Sequence, residues 1–362
     1  MRDSGIETPL RIRWRARLLE VGTSLADALR VAAVVAHPLR HWQLHRSFRH
    51  PSVREFGAGN IRLGFKYLVE YASRSLSTAQ RYELLTAHYS LLSKRLAPGF
   101  FTAINESGLF VWEQSRSDHT LAIILDFPRP MQTEGDLCLT LRMDGVAAYR
   151  LIFVIGCGRS FGVAADHVVL VTCVQGLLAP AQLKLISSIC VDVHPSDLLM
   201  AALAGFAGSV RIGTVLGITT QDQIANTGRI YFSYDDFFAK YGRRSSTFNG
   251  HEIALPFTQH DVVRTPANHR GRKRAKRAMR NCVRNSVLET LTQFLLEDPT
   301  VADGAIPELP SALPHGLPTP NAARAGAGPL FDDGVEASSF STLPGRESAK
   351  LEAVIGVEQE RL

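Results

Sequence analysis

The sequence predicts one domain of the α+β or mixed α/β class: N-terminal helices, a central antiparallel meander, alternating helix and strand, and a closing basic amphipathic helix. Three observations carry this. Strand-like alternation is confined to residues 108–176, helical periodicity dominates on both sides of it, and Arg270–Arg284 (RGRKRAKRAMRNCVR) holds eight Lys or Arg ahead of a helical apolar stripe. A chain of 362 residues, 45% hydrophobic and 20% charged, is long enough to bury a sizeable core.

Residues 10–36 (ending in LLEVGTSLADALRVAAVVA) read as helical and stop at His37-Pro38. Helices continue through Ser52–Leu96, where Ser77 or Thr78 can cap the first amides of an apolar-periodic run. From Gly108 to Gly176 the texture changes to LFVWEQ, TLAIILDF, DLCLTLRM, AAYRLIFVIGC and HVVLVTCVQG. Asp144-Gly145 between two of these runs accepts the positive φ angles of a type I′ turn, so the segment is an antiparallel meander. Helices return over Ala181–Cys190 and Pro195–Ala207. A buried strand at Thr214–Thr219, a short helix at Tyr234–Tyr241 ended by Gly242, and a strand at His251–Phe257 complete the order. There is no internal repeat.

Beyond Glu297 the composition shifts. Eight of the eighteen prolines fall there, with four Lys/Arg against ten Asp/Glu, a net of −6. Residues 1–297 then hold 36 Lys/Arg against 24 Asp/Glu, or +12. The expected organisation is a basic helical extension over 1–50, a folded domain over 51–297, and a Pro-rich, acidic, disordered tail over 298–362. The basic domain favours anionic partners.

The five cysteines (Cys138, Cys157, Cys173, Cys190, Cys282) are odd in number and lack any C-x-x-C pair, which reads as buried free thiols in a reducing compartment. The arginine-studded N-terminus lacks the continuous apolar run of a signal peptide. The longest apolar stretches, near Leu198–Val210 and Leu151–Cys157, fall short of the roughly 18 residues a span requires. The expectation is a cytoplasmic protein, with peripheral attachment to the inner membrane left open.

The basic helix is the strongest chemical signal. Its stripe of Ala275, Met279, Val283, Val287, Leu291 and Leu295, flanked by Cys282, Leu288 and Phe294, is expected to dock on the core while Arg270, Arg272, Lys273, Arg274, Lys276, Arg277, Arg280 and Arg284 fan outward. Three readings follow. The cations could neutralise nucleic-acid phosphates without reading bases, since no aromatic residues interleave them. They could attract anionic lipid head groups, assisted by Arg11, Arg13, Trp14, Arg15 and Arg17. Or they form a solvated face paired with the acidic tail.

Other constellations are weaker. His37, His41, His45 and His50 share a face if helical, and such spacing can bind a metal, but no carboxylate or cysteine joins them and an exposed basic stripe explains them as well. No metal is expected. Tyr231, Tyr234, Asp235 and Asp236 could line an acid/base cleft, although Asp235 or Asp236 fits a helix N-cap or first-turn charge. Gln175 and Gly176 end a strand where a ligand loop could lie, or where a tight turn needs glycine.

Four motifs in order, Val168–Gly176 ending in VQG, then HPSDLLMAALAGFA, IYFSYDDFFAKYG and RTPANHRGRKRAKRAMRN, resemble the VirK/YbjX family of bacterial proteins over about residues 50–295. The resemblance implies a cytoplasmic protein of unresolved biochemistry associated with virulence, antimicrobial-peptide resistance and stress, including DNA damage, and it implies no catalytic residue. Where family members tend to carry a basic residue after the helix-starting Pro, this chain has Ser196-Asp197.

The order of elements is also similar to the GNAT acyltransferases. That resemblance implies an acyl-CoA pyrophosphate held at the Gln175–Ala179 loop, where a helix N-terminus favours anions, and a proton-donating Tyr before Gly242. Here the loop lacks a second glycine, and the aligned position is Phe238. The function expected is therefore binding of an anionic partner without a cofactor, the alternative being acyl-CoA-dependent acyl transfer.

Overall fold

The computed structural model describes residues 38–296, apart from 117, 129–132, 226–231 and 258–266, together with residues 32 and 34. The expected helix over 10–36, His37, the N-terminal arginines, Tyr231 and the acidic tail lie outside the described residues, residues 32 and 34 excepted.

Helices α1 (Pro38–Ser47), α2 (Arg54–Gly59), a 3₁₀ segment (Ile61–Leu68), α3 (Thr78–Arg95) and α4 (Pro98–Glu106) precede the sheet. Ser77 caps α3 through a reciprocal capping box with Gln80, which satisfies two of the helix's orphan amides. Strands β1 (Leu109–Arg116), β2 (His119–Asp126), β3 (Leu137–Met143), β4 (Val146–Cys157) and β5 (His167–Gly176) form the antiparallel meander. Asp144 and Gly145 both take positive φ, 51° and 81°, at the β3–β4 turn. Helices α5 (Pro180–Ile189) and α6 (Pro195–Ser209) lead to β6 (Thr214–Ile218), then α7 (Tyr234–Ala239), β7 (Arg243–Arg244), β8 (Gly250–Ala254) and α8 (Ala267–Thr292).

All eight strands join one sheet in the order β1-β2-β3-β4-β5-β6-β8-β7, antiparallel throughout except for β5 beside β6. The parallel pairing is short, Val169–Val171 against Val215–Gly217. A bulge at Thr172 bends β5 there, because Phe153 faces Val171 while Ile152 faces Cys173. β5 continues to Gly176 with Tyr234 beside it, whose hydroxyl accepts the Val174 N–H at 3.1 Å.

Side chains alternate across a strand, so Phe153 and Gly156 of β4 point to opposite faces. Phe153 meets Phe206 of α6, ring centroids 5.0 Å apart. A side chain at Gly156 would collide with Leu84 of α3. One face is thus covered by α6 and α8, the other by α3 and the 3₁₀ segment. Helix α6 is buried on nearly every side, which suits its almost wholly apolar or small-residue sequence.

Two boundaries differ from the sequence reading. α7 ends at Ala239, and Gly242 is required by close packing instead: a Cβ there would lie 2.2 Å from the Glu252 carbonyl oxygen. The last strand starts at Gly250 and ends at Ala254, and β7 was not expected, being too short to show periodicity. Among the described residues no helix is long and apolar enough to cross a membrane. Cys138, Cys173 and Cys190 are buried, but Cys157 is half-buried and Cys282 is exposed, which corrects the expectation of five buried thiols.

Candidate functional site: a cationic cavity between two helices

Helix α8 docks on α6 through Val283, Val287 and Leu291, all fully buried. The contact is close because α6 presents Gly205, where a Cβ would lie 2.4 Å from the Arg284 carbonyl oxygen. The docking stripe is narrower than expected. Ala275 and Met279 are only half-buried, while Cys282 and Leu288 are exposed.

On the N-terminal side of Gly205 the two helices enclose a cavity of about 300 Å³. Asp197, Ala201 and Ala204 of α6, then Lys240, Tyr241, Pro256 and Phe257, face Lys273, Lys276, Arg277, Arg280, Asn281 and Arg284 of α8. The five α8 cations recur at three- and four-residue intervals, which places them on one flank of the helix beside the apolar stripe. The expectation that all eight would fan outward is corrected: Lys276, Arg277, Arg280 and Arg284 are half-buried, their stems lying along the cavity. Arg270, Arg272 and Arg274 are exposed and do not line it. Arg272 pairs with Asp192 at 2.7 and 2.8 Å.

Among the described residues Asp197 is the carboxylate on the cavity wall, and the Tyr241 hydroxyl donates to it. Burial, then Asp197, pushes the Tyr241 hydroxyl well above its ordinary range, so it remains a donor. Neither Lys240, Tyr241 nor Phe257 carried a sequence signal. They reach the cavity from the turn after α7 and the segment after β8.

The other candidates are not brought together. Gln175 is exposed and pairs across the sheet with Arg150, while a Cβ at Gly176 would lie 3.1 Å from Leu183 and 3.2 Å from Tyr149. Tyr234 is buried against β5, but Asp235 turns to Arg244 at 2.5 Å and to Thr220. They form no common cleft. Ser233 caps α7, and Asp235 and Asp236 are the first-turn charges that were the alternative to a cap. His41 and His45 stack with centroids 4.4 Å apart and pack on Phe65, so they are not an exposed stripe. Burial, then His41 and Arg49, pushes His45 down to about 4. Among the described residues no group of three His, Cys, Asp or Glu could hold a metal ion.

Sequence reasoning missed a second polar centre. The Asp136 carboxylate accepts from Lys66 Nζ at 2.7 Å, from the Tyr89 hydroxyl at 2.9 Å and from the Tyr71 hydroxyl, all fully buried. Lys66 also donates to the Gly135 carbonyl at 3.0 Å and lies over the Tyr71 and Phe127 rings. Burial alone would raise the Asp136 pKa, but Lys66, His88 and the hydrogen bonds hold it below the usual carboxylate range. His88 is pushed to about 4, chiefly by burial, so it is neutral at pH 7 and its Nδ1 accepts the Ile155 N–H at 3.1 Å. Two residues away, Glu134 Oε1 accepts from Gln223 Nε2 at 2.8 Å.

Fold and site together define an α+β protein built on one mostly antiparallel sheet, with a cation-lined cavity under its last helix. A family model matches residues 29–289, and the chain belongs to that family, DUF535, described as a protein of unknown function. No curated protein and no solved structure matches it.

Proposed function

We propose that this is an anion-binding protein of the VirK/YbjX kind, acting in virulence, antimicrobial-peptide resistance and stress including DNA damage, and that the cavity between α6 and α8 receives a phosphate-bearing partner. The observation that carries this is the lining: among the described residues it gathers Lys240, Lys273, Lys276, Arg277, Arg280 and Arg284 around a cavity whose Asp197 accepts from Tyr241. Guanidinium groups suit phosphate because their paired N–H donors match its oxygens, and a half-buried site strengthens each contact relative to open water. The volume argues between the anionic partners. A cavity of about 300 Å³ admits a phosphate group with a small substituent, whereas a duplex could meet only the exposed outer arginines.

The test is calorimetric titration with inorganic pyrophosphate across a salt series. Binding should weaken as salt rises and should be lost when Lys276, Arg277 and Arg280 are all replaced by Gln, with folding retained. Tight binding to duplex DNA with no response to pyrophosphate would reject the cavity.

A second reading, GNAT-like acyl transfer, is favoured by the β5–β6 pair, which is parallel and stops after three residues. It is opposed by Tyr234, which fills the place beside β5, and by the fully buried Phe238, which has no proton to give. Thermal stabilisation by CoA that Gly176→Asp abolishes would restore it.

A further inference from the structure

Resting on the phosphate-binding reading, we infer that the ligand is an amphiphile: a phosphate or pyrophosphate joined to an apolar chain. The cavity lining is mixed. Lys276, Arg277 and Arg280 supply cations from α8, while Ala201 and Ala204 of α6, with Pro256 and Phe257, supply apolar surface beside Asp197, Lys240 and Tyr241. An inorganic anion gains nothing from such a surface, because its hydration is lost there without replacement. An alkyl chain gains from it in proportion to the area buried.

The shape agrees with the chemistry. Lys273 to Arg284 spans eleven residues of helix, about 16 Å at a helical rise of about 1.5 Å per residue, which is longer than one phosphate group. One end of the cavity can hold the phosphate while the remainder takes the chain. The space exists because α6 carries alanines where it faces the cavity: the helices touch at Gly205, and short side chains at 201 and 204 leave the gap open on one side of that contact. Larger residues there would fill the apolar half and leave the cations in place.

Two sources share this chemistry, phospholipids and acyl-CoA, and the experiment separates them. Octyl phosphate, inorganic phosphate, inorganic pyrophosphate, lysophosphatidate and octanoyl-CoA are titrated into the full chain by calorimetry. Octyl phosphate should bind at least about tenfold tighter than inorganic phosphate, since burial of two methylenes alone is worth that factor. Ala204→Leu should remove this advantage, leaving octyl phosphate no tighter than inorganic phosphate. Ala204 is half-buried, so the variant is expected to fold, and Phe257→Ser gives the same readout from another element if it does not. Tighter binding of lysophosphatidate than of octanoyl-CoA, lost in the same variants, assigns a lipid source; the reverse assigns an acyl-CoA. Equal affinity for octyl phosphate and inorganic phosphate, or an advantage that survives both substitutions, overturns the amphiphile while leaving the phosphate site standing. If no phosphate compound binds at all, the phosphate reading fails and this inference with it.

Discussion

Lys66 and Arg280 are cations of one domain in opposite circumstances. Lys66 sits on the α3 side of the sheet, 4% exposed, with a carboxylate at 2.7 Å, a carbonyl at 3.0 Å and aromatic faces around it. Its partner Asp136 is closed in turn by two tyrosine hydroxyls. Arg280 sits on the α6 side, half-buried, on a cavity wall that among the described residues it shares with Lys276, Arg277, Arg284 and Asp197. A buried charge with a full set of partners is part of the scaffold, since any ligand would have to displace bonds already made. Under the phosphate-binding reading, an anion entering the cavity would add a partner to such cations. The contrast is then one between a closed polar centre and a cation-lined cavity open to a ligand.

The largest effect should come from breaking the closed centre. Asp136→Ala leaves the Lys66 ammonium buried without its counter-charge, and such a break typically costs about 3–5 kcal/mol. Urea unfolding should show the midpoint fall accordingly, while replacing both residues by apolar ones should cost far less. A loss below about 1 kcal/mol would mean that water reaches Lys66, and the contrast with the cavity would dissolve.

A smaller loss is expected at the helix crossing. Gly205→Leu places bulk where even a Cβ would lie 2.4 Å from the Arg284 carbonyl, and overpacking of this kind costs about 1–3 kcal/mol. Because α8 must then move off α6, the cavity lining moves with it. Pyrophosphate binding should fall in step with the melting temperature. Weakened stability with undisturbed binding would show that the cations do not depend on the crossing for their position.

A third effect depends on pH. Burial pushes the Glu134 carboxyl above its ordinary range, only partly offset by Cys173, Gln223 and Arg150. Among the described residues Glu134 Oε2 and Gln223 Oε1 have no partner at normal hydrogen-bond distance, although the other arm of the pair is made at 2.8 Å. A protonated Glu134 can close the ring by donating Oε2–H to the amide oxygen. The folded state then holds a proton that the unfolded state has released. Its contribution is fully present below the unfolded value of about 4.3 and is lost as pH rises through the higher folded value. Glu134→Gln keeps an amide donor for the ring and cannot titrate, so stability measured from pH 4 to 8 should fall less steeply than in the parent chain. An unchanged slope would place the proton elsewhere.

What could be read from the sequence was periodic or local. The meander followed from alternation, the β3–β4 turn from Asp144-Gly145, and the start of α3 from Ser77 or Thr78 as its cap. The density of cations over 270–284 was legible as charge. Their division into an outer set and a cavity set was not, because it depends on which flank of α8 meets α6 and on Ala201, Ala204 and Gly205 being small at that meeting. Lys240 and Tyr241 arrive from another element altogether. Asp136 read only as the start of the DLCLTLRM run, since Lys66 lies 70 residues away and no local pattern joins them. Gln175, Gly176, Tyr234 and Asp235 were attractive as residue types, but strand pairing and burial give each a separate neighbourhood.

The smallest expected effect is the sharpest test of the division within α8. Arg272 belongs to the same basic run as Arg277, yet it points away from the cavity and pairs with Asp192 at the surface, with side chains 61% and 46% exposed. Exposed pairs of this kind contribute about 0.2–1 kcal/mol, because water screens the charges and two long side chains must be held still. Arg272→Gln should therefore shift the unfolding midpoint barely, and it should leave pyrophosphate affinity within about twofold, since a charge at the outer flank is attenuated over roughly one Debye length of about 8 Å. Arg277→Gln changes net charge by the same amount and removes a cavity-lining group, so its affinity should fall by about tenfold or more if the guanidinium contacts phosphate directly, a charged hydrogen bond being worth about 1.5–3 kcal/mol. Equal losses in the two variants would mean that the helix acts through its overall field alone, and that the cavity gives it no address.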